Sequence, residues 1–268
     1  MAGVLSPAAS LCRRLLGTVA GDRADRARGP LLGRSGVRRV SAAGPLIRHR
    51  FETLADASEA LAEAVAIRLR ALVAAQGRAL LAVPGGTTPA RFLVALGAHD
   101  LPWEGITLMP TDERFVAPDD QASNERMIRA AFAPLREGRT PFVSFHNAGD
   151  DLAAAAASLD RVLKTLPPLD IVVSGMGADG HIASLFPGQT AALTAPASVH
   201  AVAATPPDLP PRLSLSPARL QGAGHVALLI SGQEKDRVLA SAVELPGAFP
   251  VGLLLSRPQG LDVYWAKA

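Results

Sequence analysis

Apolar and polar positions along the chain switch repeatedly between two periods. In FETLADASEALAEAVAIRLRALVAAQG (51–77) the apolar residues recur at helical spacing and stop at Gly77, a good helix end. ALLAV (79–83) is an unbroken apolar run of strand length, followed by the polar PGGTTP and a helical ARFLVALG (90–97). ITLMP (106–110) predicts a second strand, and a long polar stretch then leads to a helical MIRAAF (127–132), for which Ser123 or Asn124 is a natural N-cap. PFVSFH (141–146) predicts a third strand, and DDLAAAAASLDRVLKTL (150–166) predicts a helix. Further strands are predicted at LDIVVSG (169–175), VHAVAAT (199–205), RLSLS (212–216), HVALLIS (225–231) and LDVYWA (261–266). A helix at GQEKDRVLASAVE (232–244) separates the last two.

Strands alternating with helices predict an α/β fold of modified Rossmann type: a mostly parallel sheet flanked by helices on both faces, with room for a small additional β-rich lobe. Ligands of such sheets bind beyond the carboxyl ends of the strands. The segments PGGTTP (84–89), TDER (111–114), GMGADGH (175–181) and SGQEK (231–235) each follow a predicted strand there.

Composition narrows the class. With 268 residues, 49% of them hydrophobic and 19% charged, the chain has the makings of one large α/β domain. No apolar run reaches the roughly 18 residues of a membrane span. Cys12 is the single cysteine, which excludes a disulfide framework and a thiolate metal cluster and fits a reducing compartment, hence a cytoplasmic location. The net charge of +3 is unevenly spread. Residues 1–50 hold ten arginines against Asp22 and Asp25, so this stretch carries +8 and the rest of the chain −5. A mildly acidic body argues against a nucleic-acid partner. Residues 1–45 read as a disordered Arg-rich extension, a transit peptide or a mis-assigned start, and residues 46–268 as a single domain.

Gly175-x-Gly177-x-x-Gly180 has the spacing of a dinucleotide-binding turn. That motif needs a long helix after the third glycine and an acidic residue about 20 positions on. Here Pro187 interrupts any helix, and no Asp or Glu occurs between Gly180 and Asp208. The glycines, Gly177 among them, are better suited to a turn that places Asp179 and His181 at the mouth of the sheet. PGGTTP is not a Walker loop, since no Gly-Lys-Ser/Thr follows. Gly85 and Gly86 nonetheless free backbone N–H groups, Thr87 and Thr88 add hydroxyls, and Pro89 suits a first helical turn, so the loop fits a phosphate as well as it fits a plain strand-to-helix turn. TDER sets Asp112 and Glu113 beside Arg114, which reads either as a solvated loop or as a forked anion contact. Lys235 and Arg212 are further candidate anion contacts or rim charges. His181 is the candidate general base, with Asp179 to orient it. Metal-ligand spacing of His or Cys is missing, and so is a Ser-centred nucleophile elbow.

Four segments in order, PGGTTPARF, TDERFVAPDDQASN, GMGADGHIASLFPG and PPRLSLS…SGQEKDRVL, resemble the 6-phosphogluconolactonase family over about residues 46–268. The family's first loop more often reads Ser-Gly-Gly-Ser-Thr-Pro, so Pro84 and Thr87 are departures from it. The resemblance implies hydrolysis of 6-phosphoglucono-1,5-lactone in the oxidative pentose phosphate pathway, with no metal or cofactor. It places His181 and Asp179 in catalysis, and Gly85, Gly86, Thr87, Thr88, Asp112, Arg114, Gly177, Arg212 and Lys235 around a sugar phosphate, the expected partner. Neither membrane nor nucleic acid is expected as a partner, and the chain is expected as a monomer or weak homo-oligomer. Glucosamine-6-phosphate deaminases are similar in several motifs. They typically carry tyrosine where Arg114 stands and a glutamate where Phe186 stands. A non-catalytic sugar-phosphate sensor on the same fold is the third reading.

Overall fold

The computed structural model describes residues 43–146, 151–189, 196–204 and 209–267. Segment 1–42, with the Arg-rich stretch and Cys12, lies outside the described residues, as do Asp150 and Thr205 at the ends of two predicted elements. Six strands form one parallel sheet: β1 (Leu46–Phe51), β2 (Ala79–Val83), β3 (Ile106–Pro110), β5 (Ile171–Ser174), β8 (His225–Ser231) and β9 (Leu261–Ala266), in the order β1-β9-β8-β5-β2-β3. A second, antiparallel sheet of three short strands, β4 (Asp112–Arg114), β7 (Arg212–Leu215) and β6 (Val199–Val202), is the small β-rich lobe. Among the described residues, five helices have eight or more residues: α1 (Leu54–Gln76), α2 (Thr87–Gly97), α3 (Asn124–Ala131), α4 (Leu152–Thr165) and α5 (Gln233–Glu244). None is long and apolar enough to cross a membrane.

The two-residue period of a strand divides the core. Leu81, Val83, Ile171, Val173, Ala227 and Leu229 point to one face and pack with Leu61, Leu69, Phe92 and Ile128 of α1 to α3. Leu80, Ala82, Val172, Val226, Leu228 and Val263 point to the other, against Leu159 and Leu163 of α4, Leu239 of α5 and Leu213 and Leu215 of the small sheet. Both faces are covered, which is why these strands read as uninterrupted apolar runs. The helix after β2 lies on one face and the helix before β5 on the other. The chain therefore reverses its direction across the sheet between β2 and β5, a topological switch point.

Three local expectations are corrected. Helix α1 begins at Leu54, after Thr53, whose side chain accepts from the Asp56 N–H; Phe51 ends β1, a strand that the pattern of LIRHRF did not suggest. Segment 141–146 is not a strand of the sheet: it makes a single parallel bridge, Leu108 with Phe142, that covers the outer edge of β3. TDER is not a loop, because Asp112–Arg114 pair with Arg212–Ser214 as a strand.

At the opposite end of the sheet from the polar loops, His225 opens β8 with its side chain 17% exposed, 3.6 Å from Asp262. Burial, reinforced by the charges of Arg68 and Arg257, pushes its pKa down to about 3. The unfolded chain binds a proton here near pH 6.5 and the folded chain does not, so this group removes stability as pH falls from about 6.5 towards 3, with a slope approaching 1.4 kcal/mol per pH unit. Urea unfolding at pH 6.5, 5.5 and 4.5 is expected to show a shallower loss for His225→Gln than for the wild type. Equal slopes would remove His225 as the cause.

Candidate active site

Beyond the carboxyl ends of β2, β3, β5 and β8, at the switch point, lies a cavity of about 250 Å³. It collects Gly85, Gly86, Thr87, Thr88, Asp112, Arg114, Gly177, His181, Arg212 and Lys235. Every candidate named from the sequence is therefore in its wall except Asp179, which stands behind His181. The structure adds Asn124, which the sequence suggested only as a helix cap.

Two helices start at this cavity without a side-chain cap. Gly86 (φ 104°) precedes α2 and Gly232 (φ 87°) precedes α5, both in the left-handed half of backbone space that glycine tolerates. The helices α1, α3 and α4 are closed by the side chains of Thr53, Ser123 and Asp151. The first-turn N–H groups of α2 and α5 thus remain for a ligand, and they carry the positive ends of two helix dipoles. Lys235 sits in the first turn of α5; burial lowers its pKa, and Glu234 opposes the shift. A partly desolvated ammonium beside two open helix starts favours an anion.

The small sheet supplies the two arginines. Register sets Arg114 opposite Arg212 on neighbouring strands. Arg114 donates through Nη1 to the Ala122 carbonyl (2.7 Å) and to Asn124 Oδ1 (2.8 Å). Asn124 Nδ2 donates in turn to the Asp112 carbonyl at 2.7 Å. Gly85 has no alternative here, since a Cβ on it would lie 1.8 Å from Asn124 Oδ1. Arg212 lies 3.8 Å from Asp112, and its pKa is lowered by burial against the pull of that carboxylate. Ala183 turns the chain at φ 46°, a costly conformation for a residue with a Cβ, and beside it Ser184 Oγ donates to Asp112 Oδ2 at 2.5 Å. Asp112, whose Oδ1 takes the Thr111 hydroxyl at 3.2 Å, lines the cavity as an acceptor, a chemistry suited to sugar hydroxyls rather than to a phosphate.

His181 follows β5 in a tight turn. Its Nδ1 is 2.6 Å from Asp179 Oδ1, and the same oxygen accepts the His181 backbone N–H at 3.1 Å. Burial works to raise the Asp179 carboxyl, but the N–H and the imidazole of His181 together hold it below its usual range. With a proton on Nδ1 shared with Asp179, Nε2 is the basic nitrogen. The ring of Phe186 packs at 4.7 Å against the imidazole and lies 5.4 Å from the Arg212 guanidinium. The Gly177 N–H is bonded to the His181 carbonyl and the Gly180 N–H to the Gly177 carbonyl, so these two donors of the turn are spent within it.

Outside the cavity wall, Glu113, Glu125 and His146 bring one candidate metal-ligand atom each within 4.8 Å of one another. Their acceptors are already engaged: Glu113 takes the N–H groups of Arg114, Asn124 and Glu125, and Glu125 takes Arg129 and Ser144. Protein donors hold this cluster together.

Fold and site together define a parallel α/β protein whose switch-point cavity is lined by Arg114, Arg212 and Lys235 next to an imidazole. A family model described as glucosamine-6-phosphate isomerases/6-phosphogluconolactonase matches residues 52–265. The 6-phosphogluconolactonase of Rhizobium meliloti (strain 1021) is 40% identical over 228 residues, 81% of this chain and 97% of the relative. That of Mesorhizobium japonicum is 40% identical over 77% of this chain and 90% of the relative. The crystal structure of a 6-phosphogluconolactonase from Shewanella baltica superposes with a TM-score of 0.77 at 29% identity, over 84% of this chain and 99% of that one. The chain belongs to the 6-phosphogluconolactonase family, within the superfamily it shares with the glucosamine-6-phosphate isomerases.

Proposed function

We propose that the protein hydrolyses 6-phosphoglucono-1,5-lactone to 6-phosphogluconate through a water activated by His181. The observation that carries this reading is the 2.6 Å contact between His181 Nδ1 and Asp179, on an imidazole that lines the same cavity as three cations and two uncapped helix starts. The phosphate sits on the N–H groups of Gly86, Thr87 and Thr88, with Lys235 and Arg114 completing its charge balance. This leaves the lactone ring towards His181, with Asp112 accepting from its hydroxyls.

In the reaction, Nε2 of His181 takes a proton from water as the oxygen bonds to the lactone carbonyl carbon. The Asp179 carboxylate steadies the imidazolium. With the Gly177 and Gly180 N–H groups occupied, stabilisation of the oxyanion falls to Arg212, which shares the Phe186 ring with His181. Collapse of the tetrahedral intermediate breaks the bond to the ring oxygen, and the imidazolium returns its proton to that oxygen. One water is consumed, one ester bond is opened, and no redox step occurs.

The test generates lactone from glucose 6-phosphate with its dehydrogenase and follows the second wave of NADPH with excess 6-phosphogluconate dehydrogenase. Catalytic amounts of the protein are expected to speed that wave well above the spontaneous rate. A wave unchanged by the protein would reject the reading and turn attention to ammonia release from glucosamine 6-phosphate.

A further inference from the structure

A third helix begins at the cavity wall, and its start is closed by the protein's own anion. Asn124, the first residue of α3, lines the cavity, and Glu113, 1% exposed, lies beneath it. Oxygen Oε1 of Glu113 accepts the backbone N–H groups of Arg114 (2.7 Å) and Asn124 (2.7 Å). Oxygen Oε2 accepts the N–H of Glu125 (2.6 Å) and the Ser123 hydroxyl (3.1 Å), with His146 Nε2 at 3.4 Å. We infer that Glu113 is a positioning residue for substrate binding: its carboxylate ties strand β4 to the start of α3 and so fixes the orientation of Arg114.

The coupling is geometric. The Arg114 guanidinium donates twice to the segment that Glu113 anchors, once to the Ala122 carbonyl and once to Asn124 Oδ1. The same segment also holds β4 through Asn124 Nδ2 and the Asp112 carbonyl. A carboxylate suits this place because it accepts at both ends. The amide of a glutamine would turn an N–H toward at least one of the converging N–H donors, whichever way it is placed. Burial raises the Glu113 carboxyl's pKa, while the three backbone N–H groups and the charge of His146 favour its ionised form. The effect on catalysis is then selective. His181 and Asp179 stand on the turn after β5, and none of the Glu113 contacts reaches that turn.

The inference rests on Arg114 as a contact to the substrate, and a double-mutant cycle separates the two. Steady-state lactonase kinetics are compared for the wild type, Glu113→Gln, Arg114→Ala and the double variant. Arg114→Ala is expected to raise KM by about 10–100-fold, the worth of a charged hydrogen bond. Glu113→Gln is expected to raise KM about tenfold with kcat within roughly threefold, and the double variant to match Arg114→Ala to within about twofold. A structural role alone would instead lower the active fraction, and with it apparent kcat, at constant KM. That result, or KM effects that multiply in the double variant, would overturn the inference while leaving Arg114 in place. An unchanged KM in Arg114→Ala would remove both together. Thermal melts check folding. If Glu113→Gln does not fold, Asn124→Ala decides, since it keeps the N–H groups bound by Glu113 and deletes both side-chain links from the anchored segment to β4, the acceptor for Arg114 and the Nδ2 donor to the Asp112 carbonyl: an unchanged KM would overturn the inference, and a rise that vanishes in the Arg114→Ala background would support it.

Discussion

His181→Ala is expected to lower kcat by about 10²–10⁴-fold with KM changed only a few-fold, the usual worth of a positioned general base. The imidazole touches Asp179 at 2.6 Å and Phe186 at 4.7 Å between ring centroids, and neither neighbour belongs to the anion-binding wall. Truncation therefore deletes the proposed proton acceptor and leaves the helix starts at Gly86 and Gly232, the proposed phosphate contacts, untouched. The check pairs turnover in the coupled assay with binding of the product, 6-phosphogluconate, by calorimetry. Lost turnover with retained binding supports the assignment. Turnover within about threefold of wild type would move the base to Asp112, a carboxylate in the same cavity.

The second large effect is expected at a residue with no functional group. A Cβ on Gly177 would stand 2.2 Å from both Cε1 and Nδ1 of His181 and 2.7 Å from Asp179 Oδ1. No side chain can coexist with the histidine–aspartate pair in its present geometry. Gly177→Ala is expected to push the imidazole aside and cut kcat on the order of 10²-fold, the effect of a misplacement of about 1 Å, with KM nearly unchanged. An alanine variant with wild-type kcat would show that the pair does not need this arrangement. Two of the three glycines in the pattern that looked like a nucleotide fingerprint are thus accounted for, Gly177 by clearance for the imidazole and Gly180 by its positive φ.

Most of the sheet could be read from the chain because its strands are covered on both faces. ALLAV, ITLMP, HVALLIS and LDVYWA occupy the positions predicted for them. β1 escaped because it is an edge strand: Arg48, His49 and Arg50 break its apolar run, and an edge needs only one covered side. Segment 141–146 misled for the converse reason, having the composition of a strand but only one bridge of pairing. β4 carries no strand signal of its own and exists through its pairing with Arg212–Ser214, about a hundred residues further on.

The site divides in the same way. Local spacing by itself determined the pieces whose geometry is made within a few residues: the Asp179-Gly180-His181 turn, the Gly85-Gly86-Thr87 helix start and the placing of Lys235 just after a strand. Each of these is a short-range consequence of backbone dihedrals and helix dipoles, and so is written in the local sequence. Only the tertiary structure decided that Arg114 and Arg212 stand side by side, that Phe186 joins His181 to Arg212, and that Glu113 lies buried beneath Arg114 and Asn124. Those relations depend on which strands become neighbours and which helix start needs an anion. They are set by the burial of the two apolar faces of the sheet, a property of the whole chain that no window of residues contains.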